Sequence, residues 1–93
     1  MRYAEEAARI AAAVTGLPVK VRKYEPDPQN PARRRFAGWE AASVAGPADD
    51  ANSLAWGIAY DGGRTDSVRW ADVMFPNAEV FEEAISRLAN ATT

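Results

Sequence analysis

The stretch from Ser53 to Trp70 fixes the kind of sheet this chain can build. Leu54, Trp56, Ile58 and Tyr60 alternate with Ser53, Ala55, Gly57 and Ala59, and a period of two becomes one bulky and one small-residue face only in an extended strand. Asp61-Gly62-Gly63 follows, where glycine supplies the positive backbone angles of a tight reversal. Val68 and Trp70 then resume the alternation. An antiparallel hairpin is expected, with Trp56 and Trp70 as cross-strand neighbours. Asp72 interrupts the pattern, so the last strand ends near Trp70 or, as favoured here, near Phe75.

Helical periodicity brackets this hairpin. Tyr3, Ala7, Ile10, Ala11 and Val14 recur on one face and Glu5 can pair with Arg9 one turn on, so a helix is expected over residues 3–15, stopped by Thr15-Gly16. Its stripe is mostly alanine, which approaches a neighbour closely but buries little area, so it needs a sheet to lie on. At the other end Pro76 and Asn77 are start signals, and Val80, Phe81, Ala84, Ile85 and Leu88 make the apolar face of a helix over 77–90, with Glu83 paired to Arg87.

Two further strands are expected between the first helix and the hairpin. Over 18–24, Val19 and Val21 face one way and Lys20 and Arg22 the other. Over 35–44, Ala37, Trp39 and Ala41 share one face and Phe36, Gly38 and Glu40 the other. Between them, residues 25–35 hold Pro26, Pro28 and Pro31 with no apolar anchor before the arginines, and three missing N–H donors predict an exposed, extended loop. Gly46-Pro47-Ala48-Asp49-Asp50 predicts a second turn.

The expectation is one α+β domain over residues 1–93: an N-terminal helix, a four-stranded, possibly three-stranded, antiparallel sheet and a C-terminal helix, both helices on one sheet face. If they cover the face of Leu54, Trp56 and Ile58, the open face shows Ala55, Gly57 and Ala59; the reverse choice exposes the tryptophans. At least two of the three tryptophans should be buried, with Trp39 the one partly exposed. The element order is similar to that of the double-stranded RNA-binding domain, which also sets two helices on one face of an antiparallel sheet. That resemblance implies architecture and not RNA binding: the family grips phosphate with lysines at the start of its second helix, where this chain has Pro76-Asn77-Ala78-Glu79 followed by Glu82 and Glu83.

Function classes narrow through what is missing. The chain has no histidine and no cysteine, which removes most zinc, thiol and imidazole chemistry. No nucleophile elbow surrounds Ser43, Ser53, Ser67 or Ser86, and there is no phosphate loop or dinucleotide fingerprint. Asp61, Asp66, Asp72 and the Asp49-Asp50 pair match no calcium-loop spacing. No catalytic residue, cofactor or metal is therefore expected, and the chain reads as a non-enzyme. The apolar run from Ile10 to Val19 is preceded by Glu5 and Glu6 and broken by Gly16 and Pro18, so no targeting segment is read, and nothing approaches the roughly eighteen apolar residues of a membrane span. Lack of cysteine suits a reducing cytoplasm. Abundant alanine and nine arginines against two lysines resemble proteins of high-GC, actinobacterial-type genomes and their phages.

What remains is an uneven charge distribution. Residues 1–35 hold eight basic and four acidic side chains, and residues 36–93 hold three and nine. The candidate partner-binding residues are Lys20, Arg22, Arg33, Arg34, Arg35 and Trp39: three consecutive arginines beside an aromatic, backed by a basic strand, resemble an interface rather than a solubility device. The expected function is a small protein-binding module, a phage-encoded or bacterial adaptor or inhibitor that engages a larger protein with an acidic patch, itself a monomer or homodimer. The alternatives are a nucleic-acid accessory protein using the same basic edge, disfavoured by the acidic remainder, and a structural subunit of a larger assembly.

Overall fold

In the computed structural model, residues 2–48 and 54–91 are described; Asp49 and Asp50 of the second expected turn lie outside them. Helix α1 (Arg2–Ala13) leads into β1 (Pro18–Asp27), β2 (Asn30–Pro47), β3 (Ala55–Tyr60) and β4 (Thr65–Arg69), then a 3-10 turn (Trp70–Asp72), β5 (Val73–Met74) and helix α2 (Ala78–Ala91). The strands form one antiparallel sheet in the order β4-β3-β2-β1-β5.

The sheet has five strands where four were expected, because the last one is split. The strand of Val68 stops at Arg69, Asp72 sits in the 3-10 turn, and Val73–Met74 pairs with Val21 and Lys20 on the far edge of the sheet. Trp56 faces Val68, and Trp70 has left the ladder, its N–H donating to the Leu54 carbonyl at 2.9 Å. The two tryptophans are therefore not cross-strand neighbours.

This split forces the sheet to curl. Residues 69 to 73 reach at most about 14 Å, yet β4 and β5 lie four strand spacings apart, about 19 Å in a flat sheet. Only a strongly coiled sheet brings the edges within reach, and the Trp56 and Phe75 rings accordingly meet with centroids 6.5 Å apart. Register slips in β2 at Ala37-Gly38 and at Ala45 are β-bulges of the kind that add such curvature.

The core fills one face. Val19, Val21, Ala42, Val44, Trp56 and Ile58 from the strands meet Ala7 and Ala11 of α1, Val14 and Leu17 just after it, and Ala84 of α2, so both helices pack on that face. The alanine stripe of α1 lets it lie close on β2 and β3, and the connection is pinned where Gly16 N–H donates to Val44 O at 2.7 Å and Val44 N–H to Leu17 O at 3.0 Å. Helix α2 is capped by Asn77, whose Oδ1 accepts from the Val80 N–H at 2.9 Å. Arg87 pairs with Glu83 as expected, whereas Arg9 pairs with Glu6 at 2.8 Å rather than with Glu5. No described helix is long and apolar enough to cross a membrane.

Of the tryptophans only Trp56 is buried; Trp39 and Trp70 are both more than a third exposed. A core built mainly from valine, alanine and one isoleucine leaves room for one indole, and the Trp56 Nε1 finds no hydrogen-bond partner there.

Candidate functional site: a basic, aromatic β-ribbon

Residues 25–35 are not an irregular loop. The β1 strand runs on to Asp27, β2 begins at Asn30, and only Pro28 and Gln29 form the turn. Beyond Val21 the first strand has lost its β5 neighbour, and before Ala42 the second has not yet met β3. The hairpin therefore continues as a two-stranded ribbon outside the core. Prolines are tolerated here because the outer edge of each strand faces water and needs no N–H for a further strand. Asp27 Oδ1 accepts from Gln29 N–H at 2.9 Å in the turn, and Asn30 Oδ1 accepts from Ala32 N–H at 3.3 Å just beyond it.

The two ribbon faces carry different chemistry. Arg22 faces Trp39 and Tyr24 faces Phe36, all on the side away from the helices, joined by Lys20 and, through the Pro26–Arg34 pair, by Arg34. Strict alternation would have put Phe36 and Trp39 on opposite faces. The bulge at Ala37-Gly38, with Gly38 at φ 110°, inserts one extra residue and turns both rings the same way. This corrects the expected face assignment of the second strand. Their rings meet edge to face with centroids 5.7 Å apart.

Arg22 is the centre of this cluster. Its guanidinium carbon lies 5.3 Å from the Trp39 ring centroid and 6.0 Å from that of Phe36, within cation–π range. It also donates to the Tyr24 hydroxyl at 3.5 Å, and that hydroxyl donates to Asp72 Oδ1 at 3.0 Å. The bond to Tyr24 holds the guanidinium above its ordinary pKa, with Asp72 adding to the effect. Arg22, Tyr24, Phe36 and Trp39 line a shallow cleft open to solvent.

The three arginines divide. Arg35 pairs with Glu25 at 2.6 Å on the opposite ribbon face. Arg33 and Arg34 are exposed and have no acidic partner among the described residues. The structure thus gathers Lys20, Arg22, Arg34 and Trp39 on one surface, sets Arg35 on the other, and leaves Arg33 exposed next to Arg34 in the irregular stretch between the Asp27–Asn30 and Pro26–Arg34 pairs. It adds Tyr24 and Phe36, which the candidate set lacked. Tyr24 continues the alternation of Lys20 and Arg22 and was legible; Phe36 depended on the bulge.

Charge follows this geometry. Residues 20–35 carry six basic and two acidic side chains, and the rest of the chain five and eleven, so a positive ribbon projects from a negative body. The molecule measures 51 by 31 by 22 Å, and its long dimension exceeds the screening length of roughly 8 Å at physiological salt several times over. At its far end, around Arg33 and Arg34, the ribbon's field is therefore little reduced by the acidic body, whereas Asp72 lies against its base at Tyr24. Among the described residues no group of three or more acidic side chains is placed to hold a metal ion.

No protein-family model matches this chain, and comparison with the curated proteins and with the solved structures gives no match either.

Proposed function

We propose that this chain is a non-enzymatic binding module, an adaptor or inhibitor of a bacterium or phage, working in the cytoplasm by docking the outer face of its ribbon on an acidic patch of a larger protein. The observation that carries the reading is the cluster of Arg22, Tyr24, Phe36 and Trp39, more than a third exposed at each ring, on a ribbon that contributes nothing to the core. Exposed aromatics in such a group are costly unless covered by a partner. Tryptophan, tyrosine and arginine are also the side chains that dominate binding energy at interfaces. The absence of histidine and cysteine supports a role without chemistry.

A pulldown from nuclease-treated bacterial lysate tests it, comparing wild type with the triple variant Arg33→Glu, Arg34→Glu, Arg35→Glu and with Trp39→Ala. Both variants change exposed side chains and should lower the thermal transition by no more than several degrees, leaving the fold intact. The expected result is an acidic protein enriched by wild type and lost, by about tenfold or more, with each variant. Equal recovery by wild type and the triple variant overturns the proposal.

One observation favours a second reading. With the positive charge segregated on a ribbon beside stackable rings, the acidic body no longer argues strongly against single-stranded nucleic acid. A gel shift with labelled oligothymidylate that weakens steeply with salt would establish that reading in place of the first.

A further inference from the structure

Helix α2 buries only part of its apolar face. Ala84 is buried and Val80 and Leu88 pack on the core, but Phe81 and Ile85 remain 52% and 51% exposed. Phe81 touches Phe75 edge to face at 6.3 Å, and the exposed Met74 lines the same shallow hollow. A continuous apolar stripe thus runs from β5 along the helix. Glu82 lies beside it round the helix and Glu79 one turn before, both exposed and with no basic partner among the described residues.

The ribbon has the complementary character. Its outer face is aromatic, flanked by the unpaired Arg33 and Arg34, and the segment from Arg22 to Pro28 extends about 20 Å. Helix α2, with 14 residues, is about 21 Å long. Sign, apolarity and length therefore match between two surfaces of the same chain. We infer that a second copy of this chain occupies the ribbon when the larger acidic partner is absent, each ribbon lying on the Met74, Phe81 and Ile85 stripe of the other copy, with Arg33 and Arg34 facing Glu79 and Glu82. Each copy offers one ribbon and one stripe, so two copies satisfy both contacts reciprocally and close as a two-fold pair. This rests on the ribbon being a docking surface and adds self-association as a second use of that surface.

Sedimentation velocity over a range of concentration, with charge exchange, tests it. Wild type should form a dimer and no larger species. Arg33→Glu with Arg34→Glu, and separately Glu79→Arg with Glu82→Arg, should each weaken dimerisation about tenfold or more. Mixing the two variants restores both contacts in a heterodimer, and combining all four changes in one chain restores the homodimer. Phe81→Ala should weaken association without lowering the melting temperature by more than a few degrees. A wild-type monomer throughout, growth into open oligomers, or dimers indifferent to the charge changes overturns the inference. A wild-type monomer that still captures an acidic protein from lysate removes the second copy as the partner and leaves the docking role of the ribbon standing.

Discussion

The two halves of the β1–β2 hairpin are made by the same pair of strands and have opposite surroundings. In the proximal half, β1 lies beside β5 and β2 beside β3, and Val19, Val21, Ala42 and Val44 are buried under the helices. In the distal half the pairing continues with no strand on either side and no helix above, and no residue from Arg22 to Trp39 is buried. An isolated two-stranded ribbon is marginal in water. The distal half is held as a continuation of a sheet stabilised elsewhere and by the contacts around Arg22. Pairing alone therefore does not make a core; what separates the buried part of the hairpin from the exposed ribbon is the third neighbour.

That contrast gives the largest expected effect. Ile58 is fully buried in the core, across from Val44 of β2, so Ile58→Ala should cost about 2–5 kcal/mol in urea unfolding, the usual range for emptying such a site. Trp39→Ala removes a larger side chain, yet with the ring 39% exposed its cost should stay within about 1 kcal/mol. Comparable losses from the two variants would mean that the ribbon is part of the folding unit, and the division drawn above would fail.

A smaller effect probes how the ribbon is aimed. Gly38 sits at φ 110°, and a Cβ built there meets nothing within 4 Å. Gly38→Ala should therefore cost about 1 kcal/mol or somewhat more through backbone strain alone, and relief of that strain should rotate Phe36 away from Trp39 and reduce ribbon-dependent binding. Chemical synthesis with D-alanine at position 38, which accepts a positive φ, should keep both stability and binding. If the D and L forms behave alike, the bulge conformation is not what places the two rings.

How much of this was legible follows the same boundary. Both helices, the Gly62-Gly63 reversal and the inward face of Val19 and Val21 could be read from periodicity, because burial on one side writes a regular pattern into the residues. Where neighbours are missing, the pattern is missing too. Residues 25–35 have no buried face to mark a strand, and their prolines speak against one, so pairing there depended on β1 and β2 being carried outward from the core. The split after Arg69 was signalled by Asp72, but its destination on the far sheet edge is set by sheet curvature, which no local pattern encodes. The candidate site was half legible: charge and Trp39 lay open in the composition, while the meeting of Phe36 with Trp39 required one extra residue in a strand. The burial of two tryptophans failed as an expectation because Trp39 sits on the outer face of the ribbon and Trp70 leaves the ladder for the 3-10 turn, so only Trp56 remains over the core.

The last and smallest effect belongs to the rim of the body. Tyr60 lies across from Ala42, with the Arg64 guanidinium 4.1 Å from its ring centroid and Arg64 bonded to Glu40 at 3.0 Å. Burial raises the phenol's pKa above its ordinary value, the charges of Glu40 and Asp66 raise it further, and Arg64 opposes them. The folded chain then holds this proton more tightly than the unfolded chain does. Its contribution is fully present below the unfolded phenol's pKa of about 10 and is lost as pH rises through the folded value. Wild type should accordingly lose stability above that pH more steeply than Tyr60→Phe, as read from urea midpoints across the alkaline range. The ribbon variants should follow the wild-type slope, because the groups that shift Tyr60 all lie in the body. Parallel slopes for wild type and Tyr60→Phe would show that the phenol titrates alike in both states, and a slope altered by changes at Arg33 and Arg34 would show the ribbon's charge reaching into the body it is argued to stand clear of.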